Sequence, residues 1–342
     1  MLAMTLKEFR QVVRDHRTLA MLIVMPVVLL LVFGYAASFD VDVIPTAVVG
    51  PGATNVPEQL PELFDVETAD ADATRANAEE MLRAGEVNLA VVTGDGPPVV
   101  LLDGSELFMA RAAVQILAAA PIPGLDYVVL FNPELDTSAV LVPGLAGLII
   151  VFVGTLVTSM SVVRERETGT LEQLAVMPFR PRDVFMGKIA PYFLIASIDI
   201  VIVLTIGTLL FDVPLNGSVL PLIVGALAFL FVALGVGVLI SSVSENQAQA
   251  IQLALMTALP QIMLSGIIFP LSSMAPAVRW IGYLLPLTYF NQVAKGVMLR
   301  GAGLGDLLMP LALLVALGAV IFTLAVTRFR SQLRPARVRA AT

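Results

Sequence analysis

RERETGTLEQLAVMPFRPRDVFMGK, residues 164–188, is the longest polar segment within the hydrophobic part of the chain. Apolar runs at 139–163 and 189–210 flank it, each long enough to cross a bilayer as a helix. The segment therefore joins two spans on one side of a membrane. Its interior is patterned. Thr170 and Gln173 make a capping-box pair that starts a short helix at Leu171, and Pro178 closes it. Leu171, Leu174 and Met177 recur at helical spacing and give that helix one apolar edge. Pro181 suits the first turn of the next helix. A helix lying across the ends of two spans is what a membrane protein shows to a soluble partner; a solvated loop with chance capping fits the same spacing.

Composition sets the class around this segment. Of 342 residues, 58% are hydrophobic, and with several long apolar runs this gives an α-helical polytopic membrane protein. There is no Cys and a single His, His16. A disulfide framework, a thiolate or His-based metal centre and a Ser-His-Asp triad are thereby excluded, and no nucleic-acid partner is expected.

Outward toward the N-terminus, residues 1–17 place Lys7, Arg10, Arg14 and Arg17 on one helical stripe beside Leu2, Leu6, Phe9 and Val13. That is the pattern of an amphipathic helix on a membrane surface. The first span follows at 19–37, kinked at Pro26. Its length favours a retained anchor over a cleaved signal peptide. Residues 38–138 hold 17 acidic and three basic residues, the balance of a translocated, extracytoplasmic domain. Alternation predicts strands at 46–49, 89–92, 99–102 and 127–131, and helical spacing predicts helices at 71–83 and 105–120, hence a small α/β domain.

Outward toward the C-terminus, residues 139–342 supply five further spans. The second carries Thr155, Thr158, Ser159 and Ser161, which suit close helix packing or the lining of a path. The third contains Asp199, costly inside a span unless it faces the bundle or bonds Ser197 or Thr205. The fourth, 219–243, has Gly225, Gly235 and Gly237 for helix contacts; the fifth, 248–269, carries Gln252, Thr257, Gln261 and Ser265 loosely along one side. Residues 270–306 are broken by Pro276, Pro286 and Gly301 and read as a re-entrant helical hairpin of 278–285 and 288–299. A last span, 307–326, precedes a basic tail. Six spans with basic ends put both termini and the 164–188 loop in the cytoplasm. Arg279, Lys295 and Arg300 run against that assignment, since they fall in a nominally external stretch.

Glu165-x-Glu167-x-Gly169-Thr170-Leu171-Glu172-Gln173-Leu174, closing at Pro178, resembles the cytoplasmic signature of ABC-2 type permeases, the membrane subunits of ATP-driven exporters. Asn132-Pro133-Glu134-Leu135 before Pro143-Gly144 resembles the family's approach to the second span. Ser244-Glu245-Asn246-Gln247-Ala248 resembles its next cytoplasmic turn, and Leu285-Pro286-Leu287-Thr288-Tyr289 its external hairpin. An α/β domain between the first two spans marks the subgroup that includes bacterial drug exporters. The resemblance implies that the loop is a coupling helix docked on a separate nucleotide-binding ATPase subunit, with Glu165, Glu167, Gly169, Thr170, Leu171, Glu172 and Pro178 as coupling residues. The plainer alternative is that Glu165 and Glu167 pair only with Arg164 and Arg166. It also implies a second permease subunit and a cargo path between the two, lined by Thr155, Thr158, Ser159, Gln252, Thr257, Gln261 and Ser265. The expected cargo is hydrophobic or amphipathic.

The chain has no G-x-x-x-x-G-K-[ST] loop, so Mg-ATP is expected on the partner subunit, with no cofactor in this chain and no catalytic residue. The expected location is the cytoplasmic membrane. Two other classes compete: an ion-driven secondary carrier using Asp199, and a receptor whose external domain binds a ligand.

Overall fold

The computed structural model describes residue 27 and residues 41–332, apart from 42, 55, 57–59, 62, 95, 120–125 and 170–180. The expected amphipathic helix, nearly all of the first span and most of the basic tail lie outside the described residues. So do four expected coupling residues: Thr170, Leu171, Glu172 and Pro178.

Residues 44–130 build a five-stranded mixed sheet from β1 (Ile44–Val49), β2 (Phe64–Asp70), β3 (Leu89–Val92), β4 (Val99–Asp103) and β5 (Asp126–Leu130), in the order β2-β1-β3-β4-β5. Only β3 and β4 pair antiparallel. Strict alternation splits the apolar residues between two faces. Val48, Leu89, Val91, Val100 and Leu102 pack with α2 (Leu107–Ala119) on one face. Ala47, Val49, Ala90 and Leu101 pack with α1 (Arg75–Ala84) on the other. β2 was not among the expected strands. Asp65, Glu67 and Asp70 make FDVETAD look like a loop, but it is an edge strand, where charge is tolerated and discourages pairing with other chains.

The helical part follows as α3 (Thr137–Glu167), α4 (Pro181–Leu210), α5 (Val219–Val243), α6 (Gln247–Leu264), α7 (Pro276–Gly282), α8 (Pro286–Lys295) and α9 (Leu308–Gln332). α3 contains a π-helical stretch at Phe152–Val157, and α8 runs on into another at Gly296–Arg300. Among the described residues, four helical segments are long and apolar enough to cross a membrane: Thr137–Glu167, Ala190–Leu210, Val219–Val243 and Leu308–Arg328. α6 is too rich in Gln to join them. It also stops short of the expected 248–269, because Gly266 takes a left-handed φ of +79° just after it.

α5 is the central rod. It packs against α3, α4, α8 and α9, and Phe229 stacks on Phe290 of α8 with ring centroids 4.9 Å apart. Close approach needs its glycines: a Cβ at Gly237 would lie 2.8 Å from the Thr155 carbonyl oxygen of α3. α8 is sunk in the bundle, with Leu287, Phe290, Val293 and Ala294 fully buried. α4 lies at the periphery and exposes Leu194, Ile195, Ile198 and Val201.

Candidate functional site

α3 is 31 residues long, about 46 Å at 1.5 Å per residue, so its two ends sit on opposite sides of the bundle. The end near residue 167 precedes residues 170–180, which hold four of the expected coupling residues. Gly169, at φ +74°, terminates the helix in the left-handed conformation, and its N–H bonds the Arg166 carbonyl at 3.1 Å. Thr168 Oγ1 donates back to the Arg164 carbonyl at 3.0 Å.

The last turn of α3 grips two other helices. Arg166 donates from Nη1 to the Ser244 carbonyl at 2.7 Å and from Nη2 to the Ser241 carbonyl at 2.9 Å. Both carbonyls belong to the C-terminal turn of α5, where the helix leaves acceptors without a partner of its own. Glu167 takes the opposite role. Its Oε1 accepts from the Gln247 N–H at 3.1 Å and its Oε2 from Gln247 Nε2 at 2.5 Å, at the start of α6. Asn246 caps the same helix by accepting from the Gln249 N–H at 2.9 Å, while Gln249 Oε1 accepts from the Glu245 N–H at 2.9 Å. A cation thus sits at one helix C-terminus and an anion at the next N-terminus, as their dipoles favour. Glu167 bonds Gln247, which sequence reasoning did not pair with it. Glu165 is half-buried on α3. Tyr192 of α4 joins the same layer through its hydroxyl, which donates to Ser161 Oγ at 2.6 Å.

Sequence reasoning considered Arg166 only as a partner for Glu165 and Glu167, not as a link to α5. Its acceptors are main-chain carbonyls 75 and 78 residues further on, and a carbonyl leaves no residue-type signal.

The expected path residues separate into two groups. Thr155, Thr158 and Ser159 are buried; Thr155 Oγ1 donates to the Ala233 carbonyl of α5 at 3.3 Å, and Thr158 lies against Gly237 of the same helix. Gln261 and Ser265 are also buried. Gln252 is half-buried and Thr257 exposed. Thr257 opens on a largely apolar groove of about 850 Å³ between α5, α6 and α9, bordered by Val236, Leu239, Leu253, Met256 and Leu324. Asp199 is half-buried on α4, and neither hydroxyl considered for it bonds it: Ser197 Oγ donates to the Phe193 carbonyl and Thr205 Oγ1 to the Val201 carbonyl.

At the other end of α3 the sheet is fastened to the bundle. Asn132 Nδ2 donates to the carbonyls of Gly104 and Asp136, and its Oδ1 accepts from the Asp136 N–H at 3.0 Å. Asp136 in turn caps α3 by accepting from Ser138 N–H and Oγ. Lys295 of α8, buried, pairs with Glu106 at 3.1 Å, and Arg300 faces Asp103 of β4 at 3.7 Å. Burial pushes the Asp103 carboxyl above its ordinary range, and the Arg300 charge pulls it part of the way back. Arg279 donates to the carbonyls of Ser272 and Met274. The three cations that ran against the expected orientation are thus engaged inside the fold.

Comparison with known proteins adds the following. A family model described as ABC-2 family transporter protein matches residues 16–327. The chain is similar to the probable multidrug ABC transporter permease YbhS of Escherichia coli strain K12, 28% identical over 333 residues covering 87% of this chain and 88% of the relative. It is similar to the probable multidrug ABC transporter permease YbhR of the same strain, 26% identical over 343 residues, 91% and 93% of the two chains. It also resembles the inner membrane transport permease YhhJ of that strain, 31% identical over 243 residues, 70% of this chain and 63% of the relative.

Proposed function

The chain belongs to the ABC-2 transporter family, and we propose that it is the membrane permease subunit of an ABC exporter, worked by a separate nucleotide-binding subunit that binds and hydrolyses Mg-ATP. The observation that carries the mechanism is the double grip of Arg166 on α5 and Glu167 on α6. The loop 170–180, with Thr170, Leu171, Glu172 and Pro178, docks on the ATPase. Motion of that loop displaces the end of α3. Because Arg166 and Glu167 hold the facing ends of α5 and α6, those two helices move with it. Charge-assisted bonds to helix ends, each worth roughly 1.5–3 kcal/mol, make that linkage firm.

In this reading two permease subunits flank the cargo path. Gln252 and Thr257 have the exposure to line it, while Thr155 and Thr158 pack α3 against α5. The cargo is hydrophobic or amphipathic, in keeping with relatives named as multidrug permeases. The first span and α6 complete six crossings of a cytoplasmic membrane, α7 and α8 form a re-entrant pair, both termini lie inside and the sheet domain outside. The test is reconstitution of the chain with its nucleotide-binding subunit in vesicles. Glu167→Ala paired with Glu172→Ala is expected to leave membrane insertion intact and abolish ATP-driven transport. Unchanged transport in the double variant removes the coupling role. Transport that persists without ATP and stops on Asp199→Asn transfers the chain to the ion-driven class.

A further inference from the structure

A cavity of about 230 Å³ lies in the seam between the sheet domain and the bundle, among the start of α2, the first turns of α3 and the turn that follows α6. Leu107 and Phe108 wall it from the sheet domain, and Val140, Leu141, Ile267 and Ile268 from the bundle. Leu107, Val140 and Ile267 are buried, while Leu141 and Ile268 are half-buried, so the cavity has a deep side and an open side. Its polar groups are already bonded to one another. Lys295 pairs with Glu106 at 3.1 Å and donates to the Gly266 carbonyl at 3.4 Å, and the Thr137 hydroxyl accepts from Arg111 at 3.1 Å. None of the side chains on these walls has a buried polar atom without a partner. Water held inside a protein needs roughly two to four polar partners, whereas a cavity of about 150 Å³ with apolar walls is enough for a benzene ring. The walls therefore suit an apolar guest.

Leu141 also marks the approach. Leu145 and Ile149 follow it on α3 at intervals of four residues and are 44% and 37% exposed, so one face of the helix carries an aliphatic track that ends at the cavity. α3 is long and apolar enough to cross a membrane, and hydrocarbon chains in a bilayer lie alongside such a track. We propose that the cavity binds the end of an alkyl chain, which reaches it along Ile149, Leu145 and Leu141. Two sources share that chemistry: an acyl chain of a membrane lipid, and a free single-chain amphiphile. In a bilayer the approach is already apolar, so the gain comes from filling the cavity rather than from leaving water, and it grows with the volume filled. A chain end held there packs between the sheet domain and the bundle beside the Lys295–Glu106 pair. The site goes beyond the export reading and does not rest on it, because walls and approach belong to this chain alone.

The test uses the full chain in nanodiscs and maps photolabelling by peptide mass spectrometry. One probe is phosphatidylcholine with a diazirine near the end of an acyl chain; the other is decanoic acid with a terminal diazirine. Labelling is read at 107–108 and 267–268, on opposite walls of the cavity, with the exposed Leu194 and Ile198 of α4 as the reference surface. Val140→Phe, which puts a ring into the cavity, is expected to cut labelling of the walls about tenfold, a small part of what filling such a volume returns, and to leave α4 labelling unchanged. Wall labelling by the phosphatidylcholine probe supports the site and identifies a membrane lipid as a source; wall labelling by decanoic acid alone supports it and identifies a free amphiphile. No wall labelling by either probe overturns the proposal, as does wall labelling that Val140→Phe leaves unchanged. If Val140→Phe does not fold, Leu141→Trp, on the half-buried side, takes its place under the same criterion. None of these outcomes involves ATP or the nucleotide-binding subunit, so failure here and failure of the export reading are separately visible.

Discussion

The two ends of α3 are fastened by opposite strategies. Near residue 137 the sheet domain is held by charge against charge, with Lys295 on Glu106 and Arg300 facing Asp103, largely out of water. Near residue 167 the charges of Arg166 and Glu167 are set against helix termini, and the groups are partly or fully exposed. A buried pair is rigid because each member is ruinous without the other. A charge on a helix end is satisfied by water when it lets go, so it can transmit force and re-form. The difference teaches that the sheet domain and α8 are fastened as one block, while the contacts at the other end of α3 are of the kind that the proposed coupling can use as a joint.

The largest expected effect breaks the block. Lys295→Ala removes the partner of Glu106 and leaves a carboxylate that is only 22% exposed. Loss of one member of a buried pair costs about 3–5 kcal/mol, with the lower figure apt here because Glu106 keeps some water. Thermal unfolding in nanodiscs is expected to show a clear fall in midpoint; a shift no larger than that of an exposed control such as Arg75→Ala, whose Glu79 pair is a surface one, would make the two ends alike.

A smaller stability effect and a larger functional one are expected at the joint. Arg166→Ala removes two bonds to the carbonyls of the buried residues Ser241 and Ser244, a loss of about 1–3 kcal/mol. The protein is expected to fold and recruit its nucleotide-binding subunit, but ATP turnover is expected to outrun transport. Arg166→Lys, which has a charge but no fork, is expected to recover only part of the coupling. Transport and ATP turnover falling in step would return Arg166 to an ordinary structural role.

The same contrast explains what the sequence shows and what it hides. Long apolar runs mark α3, α4, α5 and α9, because crossing length is a one-dimensional property. β3 coincides with the alternation at Leu89–Val92, and Gly237 with a helix contact, since both depend on local residue type. β2 is hidden, as its edge position is a fact of topology and its acids mimic a loop. The link from Arg166 to α5 is hidden for a related reason: its acceptors are main-chain carbonyls. Lys295 and Arg300 were legible only as an anomaly of charge placement, and their partners lie far back in the chain at Glu106 and Asp103. Thr155, Thr158 and Ser159 show a further ambiguity, since a small hydroxyl residue reads the same in sequence whether it lines a path or fills a helix contact, and all three are buried in this chain.

The smallest expected effect is a pH response confined to the sheet end. Asp136, at the cap of α3, has its pKa held below 3.8 by the Ser138 hydroxyl and N–H. Its carboxylate therefore contributes stability above pH 3.8 that is lost as pH falls through the lower folded value. Asp103 carries the opposite sign. Its pKa is raised above 3.8 by burial, so the fold favours the protonated form and gains stability as pH falls toward 3.8. The two act in adjacent windows, Asp103 above 3.8 and Asp136 below it. Unfolding midpoints of the unaltered chain are thus expected to rise slightly on mild acidification and then fall. Asp103→Asn should remove the rise, and Asp136→Asn, still a good cap, should blunt the fall. Arg166 meets carbonyls with a guanidinium that stays charged throughout, so Arg166→Ala is expected to leave the shape of that profile unchanged while lowering it. A profile whose shape changes with Arg166 and not with Asp103 or Asp136 would place the titrating contacts at the joint and reverse the assignment of the two ends.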